Sequence, residues 1–150
     1  MREPRSFEIQ PHESVGSVRF GMLPSEVHAV IGAPRRRLRS RRGEWEELWG
    51  GIKVTYGKGD ERAVEIHVMP PAAALLDGKD LLRADDPVSL LLSYDSHPLE
   101  AVGVVLFPGI GIAVTGHASP ADDSDKAVGV FARGRWDEES LLHFHPLQVG

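Results

Sequence analysis

The side chains best suited to chemistry lie near the C-terminus, in His143-Phe144-His145. On an extended chain alternate residues share a face, so both imidazoles point one way and suit a metal, with His117 or Asp125 as a third ligand. Histidines beside a terminal strand are more simply ordinary surface residues. Asp122-Asp123-Ser124-Asp125 has the oxygen density of a calcium loop. It lacks that loop's glycine and its distal bidentate glutamate, so it reads as a solvated turn. Gly109-Ile110-Gly111 begins like a dinucleotide fingerprint, but its third glycine position holds Val114 and no βαβ unit surrounds it. No Gly-x-Ser-x-Gly elbow, Walker loop or His-Glu-x-x-His occurs. The chain therefore reads as non-catalytic, with no cofactor expected. A small-ligand or metal-binding protein centred on His143 and His145 is the alternative.

A basic run is the next candidate. Arg35 to Arg42 holds six arginines in eight positions, and a basic stripe on one strand face is what nucleic acid requires. The returning segment carries Glu44, Glu46 and Glu47. A two-residue turn at Arg42-Gly43 sets Arg41 against Glu44 and Arg39 against Glu46, with Leu38, Trp45 and Trp49 on the other side. Such cross-strand pairs neutralise the stripe and guard a sheet edge. That paired edge is the preferred reading, and nucleic-acid binding through Arg35–Arg42 the second alternative.

Composition narrows the choices. The formal net charge of −5 argues against nucleic acid as main partner and suits a basic protein instead. The absence of cysteine excludes disulfides, thiolate catalysis and Cys-ligated zinc. No apolar run approaches bilayer length, and no apolar segment follows Met1-Arg2-Glu3-Pro4-Arg5, so the expected compartment is the cytoplasm.

The elements that must position these residues follow from spacing. Leu23, Val27, Val30 and Ile31 form a helical stripe, with Pro24 at the first helical position and Gly32 and Pro34 at the exit. Ile52–Tyr56 and Ala63–Val68 alternate as strands of an antiparallel sheet with one buried face. Gly51-Ile52-Lys53-Val54-Thr55 returns as Gly111-Ile112-Ala113-Val114-Thr115, and Arg62-Ala63-Val64-Glu65-Ile66 as Lys126-Ala127-Val128-Gly129-Val130. Asp86 and Pro87 open a second helix like the first. These matches predict an α+β class: two pseudo-repeated helix-plus-antiparallel-strands units sharing one antiparallel sheet, helices on one face. The chain is expected to be a single domain, 1–150, with an N-terminal tail (1–14), repeats at 15–70 and 71–135, and a C-terminal segment (136–150). In the tail only Phe7 and Ile9 can pack.

Gly16-Ser17-Val18-Arg19-Phe20-Gly21-Met22, Glu26-Val27 and Ile31-Gly32-Ala33-Pro34 resemble a motif of small outer-membrane assembly lipoproteins (BamE/SmpA) and tandem-repeat β-lactamase inhibitor proteins (BLIP-like). Leu23 stands where that pattern places a Ser or Thr cap, and the second unit lacks the Gly-Met turn. The resemblance implies a protein-binding scaffold, an inhibitor or immunity-like protein that grips its partner with an open sheet face. It transfers no binding residue by position.

Parity supplies the candidate site. With Ile52, Val54, Tyr56, Val64, Ile66 and Val68 turned inward, Lys53, Thr55, Glu65 and His67 face out. In the second half Ala113, Thr115, Gly129 and Phe131 do so, with Val104 and Leu106 beside them. That half is apolar and marks either an interface or the seat of Trp136, Leu141, Leu142 and Phe144 folded back on it. A free edge strand or this half-sheet would also serve a homodimer.

Overall fold

The computed structural model of the protein describes residues 5–101, 103–116, 126–136 and 141–147. Its elements, in chain order, are β1 (Ser6–Gln10), β2 (Ser14–Val15), β3 (Val18–Arg19), α1 (Pro24–Ile31), β4 (Arg36–Arg39), β5 (Trp45–Trp49), β6 (Ile52–Tyr56) and β7 (Ala63–Val68). There follow β8 (Ala73–Leu76), β9 (Lys79–Asp80), α2 (Pro87–Leu91), β10 (Leu99–Ala101), β11 (Val104–Phe107), β12 (Ile112–Thr115), β13 (Ala127–Phe131) and β14 (His145–Pro146). Nine strands form one sheet in the order β14-β10-β11-β12-β13-β7-β6-β5-β4, antiparallel at every pairing. Five form a second, β3-β2-β1-β8-β9, in which β1 and β8 run parallel.

The chain is thus mostly β, with two sheets and two short helices among the described residues, and the expected α+β pair of helix-plus-strands units is overturned. The physical reason is coverage. With 8 residues in α1 and 5 in α2, the helices are too short to blanket a nine-stranded sheet. Phe7 and Ile9 of the expected tail, with Val15, Val18, Ala74 and Leu76, form the small sheet's buried side. They share one apolar cluster with Ile52, Val54, Ile66, Val68, Ile112, Val114, Val128 and Val130. A second sheet therefore closes the core where helices were expected.

Helix ends follow local rules. Pro24 opens α1, the Glu26 carboxylate accepts the Leu23 N–H at 2.9 Å, and Gly32 ends the helix at φ 86°. Of the predicted stripe only Val27 is fully buried, while Leu23 and Val30 are exposed. At α2, Asp86 accepts the N–H of Ser89 at 3.0 Å and Pro87 takes the first helical position.

Two strand details depart from expectation. In β4–β5 the partners are Leu38 with Glu46 and Arg39 with Trp45, not Arg39 with Glu46 and Arg41 with Glu44. Ser40 N–H bonds Glu44 O at 2.8 Å, leaving a three-residue loop that Gly43 completes at φ 81°. One extra loop residue turns every β4 side chain to the opposite face. Leu38 leaves the tryptophan side, and Arg37 and Arg39 move onto it. In β6–β7 the register shifts at Thr55/Tyr56, so that Ala63 enters the core and Val64, expected there, is only half-buried.

Candidate functional site

The outward face of the nine-stranded sheet divides into a polar half and a covered half. The polar half is built around Arg135, which follows β13 in a turn where Gly134 has φ 80°. β13 pairs with β7, Phe131 opposite Glu65 and Gly129 opposite His67. From the end of β13 the guanidinium reaches back across the sheet. Nη1 and Nη2 donate to the two carboxylate oxygens of Glu44 at 2.6 and 2.7 Å, and Nε donates to Glu65 Oε1 at 3.0 Å. This two-pronged fork is the strongest ion-pair geometry that side chains make.

Electrostatics follow from that geometry. The hydrogen bonds from Arg135 hold the Glu44 carboxyl below its usual range, against the opposing effect of burial. Arg135, bonded to Glu44, keeps its proton more firmly than a free guanidinium. Lys53 Nζ lies 3.4 Å from Glu46 Oε2, and Thr55 Oγ1 donates to the same oxygen at 3.4 Å. His67 Nδ1 lies 3.4 Å from Glu65 Oε2 without hydrogen-bond geometry. Burial pushes the His67 imidazole below its usual range, and the pull of Glu65 does not offset it. His67 is therefore neutral at pH 7.

An aromatic row leads from this network into the covered half. His67 meets Phe131 edge-on at 6.0 Å, Phe131 meets Trp136 at 5.2 Å, and Trp136 meets Phe144 at 5.3 Å. Leu106, Ala113 and Phe131 are buried beneath Val104, Trp136, Leu141 and Phe144. β14 holds the segment down by pairing Glu100 with His145 and Leu99 with Pro146. Leu142, also expected to cover this half, is 78% exposed.

Of the residues proposed from sequence, Lys53, Glu65 and His67 keep part of their side chains at the surface. Thr55 is on the expected face but buried among its neighbours. Leu106 at 0% and Phe131 at 3% exposure are interior residues that a partner cannot touch. Val104 is half-buried against the Leu106, Ala113 and Phe131 cluster, and Thr115 is turned to donate to Ala127 O at 3.3 Å. The structure thus groups the first-half residues, with Phe131 adjoining His67 and Glu65 from the interior, and sets Val104, Leu106 and Thr115 apart from them.

The histidine candidates do not come together. His143 lies in a turn that Phe144 N–H closes onto Leu141 O at 3.0 Å, so the segment is not extended and the shared-face geometry is lost. His145 sits 3.3 Å from Glu100. His117, Asp125 and the Asp122–Asp125 turn lie outside the described residues. Among the described residues no three His, Asp or Glu side chains are grouped to hold a metal. A cavity of about 20 Å³ between Leu82, Pro87, Val114 and Val128 has room for a single water.

Two arrangements escaped sequence reasoning. One is the Arg135 fork, whose partners are too distant for spacing to reveal. The other is Glu47, 1% exposed, which accepts from Tyr56 Oη at 2.7 Å and lies 2.8 Å from His28 Nε2 on α1. Its place between Trp45 and Trp49 was a usable signal, since alternation turns all three the same way. No helix among the described residues is long and apolar enough to cross a membrane. No family model matches the chain, and neither the curated proteins nor the solved structures contain a match.

Proposed function

We propose that this chain is a non-catalytic protein-binding module, an inhibitor- or immunity-like protein of the cytoplasm, that grips a basic partner with the polar half of its outward sheet face. The observation that carries this reading is the Arg135 fork across Glu44 and Glu65. It fixes the partly exposed Glu65 carboxylate, and the sheet face around it, before any partner arrives. Side chains already ordered by the fold lose little freedom on binding, which is where much of the cost of association lies. Around the fork, the side chains of Glu46, Lys53, Glu65 and His67 are partly exposed. The chain as a whole carries −5, a balance that favours encounter with a basic surface. The resemblance of the Gly16–Pro34 stretch to sheet-face inhibitors agrees with this reading.

The test compares capture of partner from native lysate by immobilised wild type and by the double variant Glu46→Ala, Lys53→Ala. Loss of the captured species at an unchanged melting temperature is the expected result. Equal capture by the double variant sinks the assignment of this face.

A further inference from the structure

The arginine run is not the neutralised edge that the sequence suggested. Each glutamate of the returning strand is engaged elsewhere: Glu44 by Arg135, Glu46 by Lys53 and Thr55, Glu47 by Tyr56 and His28. Only Arg37 reaches one of them, its Nε 3.4 Å from Glu47 Oε2. Arg35, Arg36, Arg41 and Arg42 are exposed and make no ion pair among the described residues. β4 is also the last strand of its sheet. Ser40 and Glu44 pair through Ser40 N–H, so even-numbered β4 residues direct their backbone groups at β5. Those of Arg37 and Arg39 then point away from the sheet, as in any antiparallel ladder.

We infer that β4 is a second binding edge, which takes an extended acidic segment of another protein as an added strand. Backbone groups of Arg37 and Arg39 supply the ladder, and the arginines on both faces receive alternate carboxylates. Arg37 and Arg39 are pre-placed for this: their guanidinium carbons lie 4.1 and 4.9 Å from the Trp45 ring centroid. Arg39 Nε donates to Gly43 O at 3.2 Å and Arg37 Nε lies 3.4 Å from Glu47 Oε2, which leaves the terminal N–H groups of both for a carboxylate. A second copy of this chain does not fit, because pairing β4 with itself sets arginine against arginine. Nucleic acid fits less well, since the Trp45 ring that would stack a base already carries two guanidinium groups. Protection of a bare edge accounts for charge there, but not for a single sign in six of eight positions with the neighbouring glutamates drawn off.

The experiment uses the full chain and a short labelled peptide of consecutive glutamates, which presents carboxylates to both faces when extended, followed by fluorescence anisotropy and amide hydrogen exchange. Binding is expected, with slowed exchange at the Arg37 and Arg39 amides. Affinity should fall about tenfold or more in Arg36→Glu, Arg41→Glu, Arg42→Glu, whose side chains are exposed and whose melting temperature serves as the folding control. Three results overturn the inference: no binding at low salt, equal binding of the same peptide N-methylated along its backbone, or tighter binding of a single-stranded DNA of equal charge. Equal affinity in the triple variant overturns it as well.

Discussion

Arg135 and Glu44, 91 positions apart, share two charge-assisted hydrogen bonds of 2.6 and 2.7 Å. Both side chains are nearly enclosed, at 12% and 8% exposure, so neither can replace its partner with bulk water. The pair therefore ties the loop after β13 to the start of β5 across β7 and β6. The same contact that readies the outward face also fastens the sheet's middle.

Replacing Arg135 with Met should lower stability by about 3 kcal/mol, because it leaves a buried carboxylate without its counter-ion. Urea denaturation measures this directly. The pH dependence has a definite sign. Glu44 is held below its ordinary value of 4.5, so as pH falls the unfolded chain takes up the proton first. The pair's contribution is complete above pH 4.5 and fades as pH drops through the lower folded value. Arg135→Met should flatten that part of the acid profile.

Phe131 and Lys53 were assigned to one face from sequence, but their environments differ and so should their variants. Phe131→Ala empties the centre of the cluster under Trp136 and Leu106 and should cost about 3–5 kcal/mol. Lys53→Ala removes a 3.4 Å pair with a partly exposed amine and should change stability by less than about 1 kcal/mol. Thermal melts of both proteins separate the interior residue from the contact residue.

Tyr56 donates to a carboxylate that has no access to water. Burial first, and then the hydrogen bond to Glu47, lift its phenol well above the usual range. In an alkaline titration followed by phenolate absorbance, Tyr56 should ionise only as the protein unfolds. The unfolded chain loses that proton first, so stability should fall as pH rises above the ordinary phenol value of 10.0. Tyr56→Phe should remove this dependence and cost about 1–2 kcal/mol at neutral pH, by leaving Glu47 with one donor fewer.

Gly111 has φ 65°, and a Cβ there would stand 2.8 Å from both Phe131 O and His12 Nδ1. Gly111→Ala should therefore destabilise by about 2 kcal/mol or more, through backbone strain and a clash that the carbonyl cannot relieve. Gly59, at φ 101° with nothing within 4 Å, isolates the conformational part; Gly59→Ala should cost about 1 kcal/mol. The difference between the two melting temperatures reads out the packing of the β1–β2 turn against the β11–β12 turn.

Particular elements show where local reasoning succeeds. Pro24, Gly32 and the Asp86-Pro87 pair mark helix ends because capping acts within one turn of chain. Ile52, Val54, Ile66, Val68, Ile112, Val114, Val128 and Val130 turn inward as alternation requires, since side-chain direction in a strand is a property of neighbouring peptides. The β4 register departs from the expected one for an equally plain reason. A single loop residue, Arg41, separates two arrangements that the residue types accommodate almost equally, and Gly43 at φ 81° selects the longer.

The amino-acid sequence alone determined most of the residues that line the inner side of the large sheet, where both helices begin, and that the outward side carries Lys53, Glu65 and His67. Only the tertiary structure decided that a second sheet closes the core, and that Trp136, Leu141 and Phe144 lie over half of the other side. It also decided that Glu44, Glu46 and Glu47 turn to partners other than the arginine edge. The division is physical. Pattern and caps are settled by atoms a few peptide units apart, whereas coverage and charge pairing depend on which distant segments arrive at the same place.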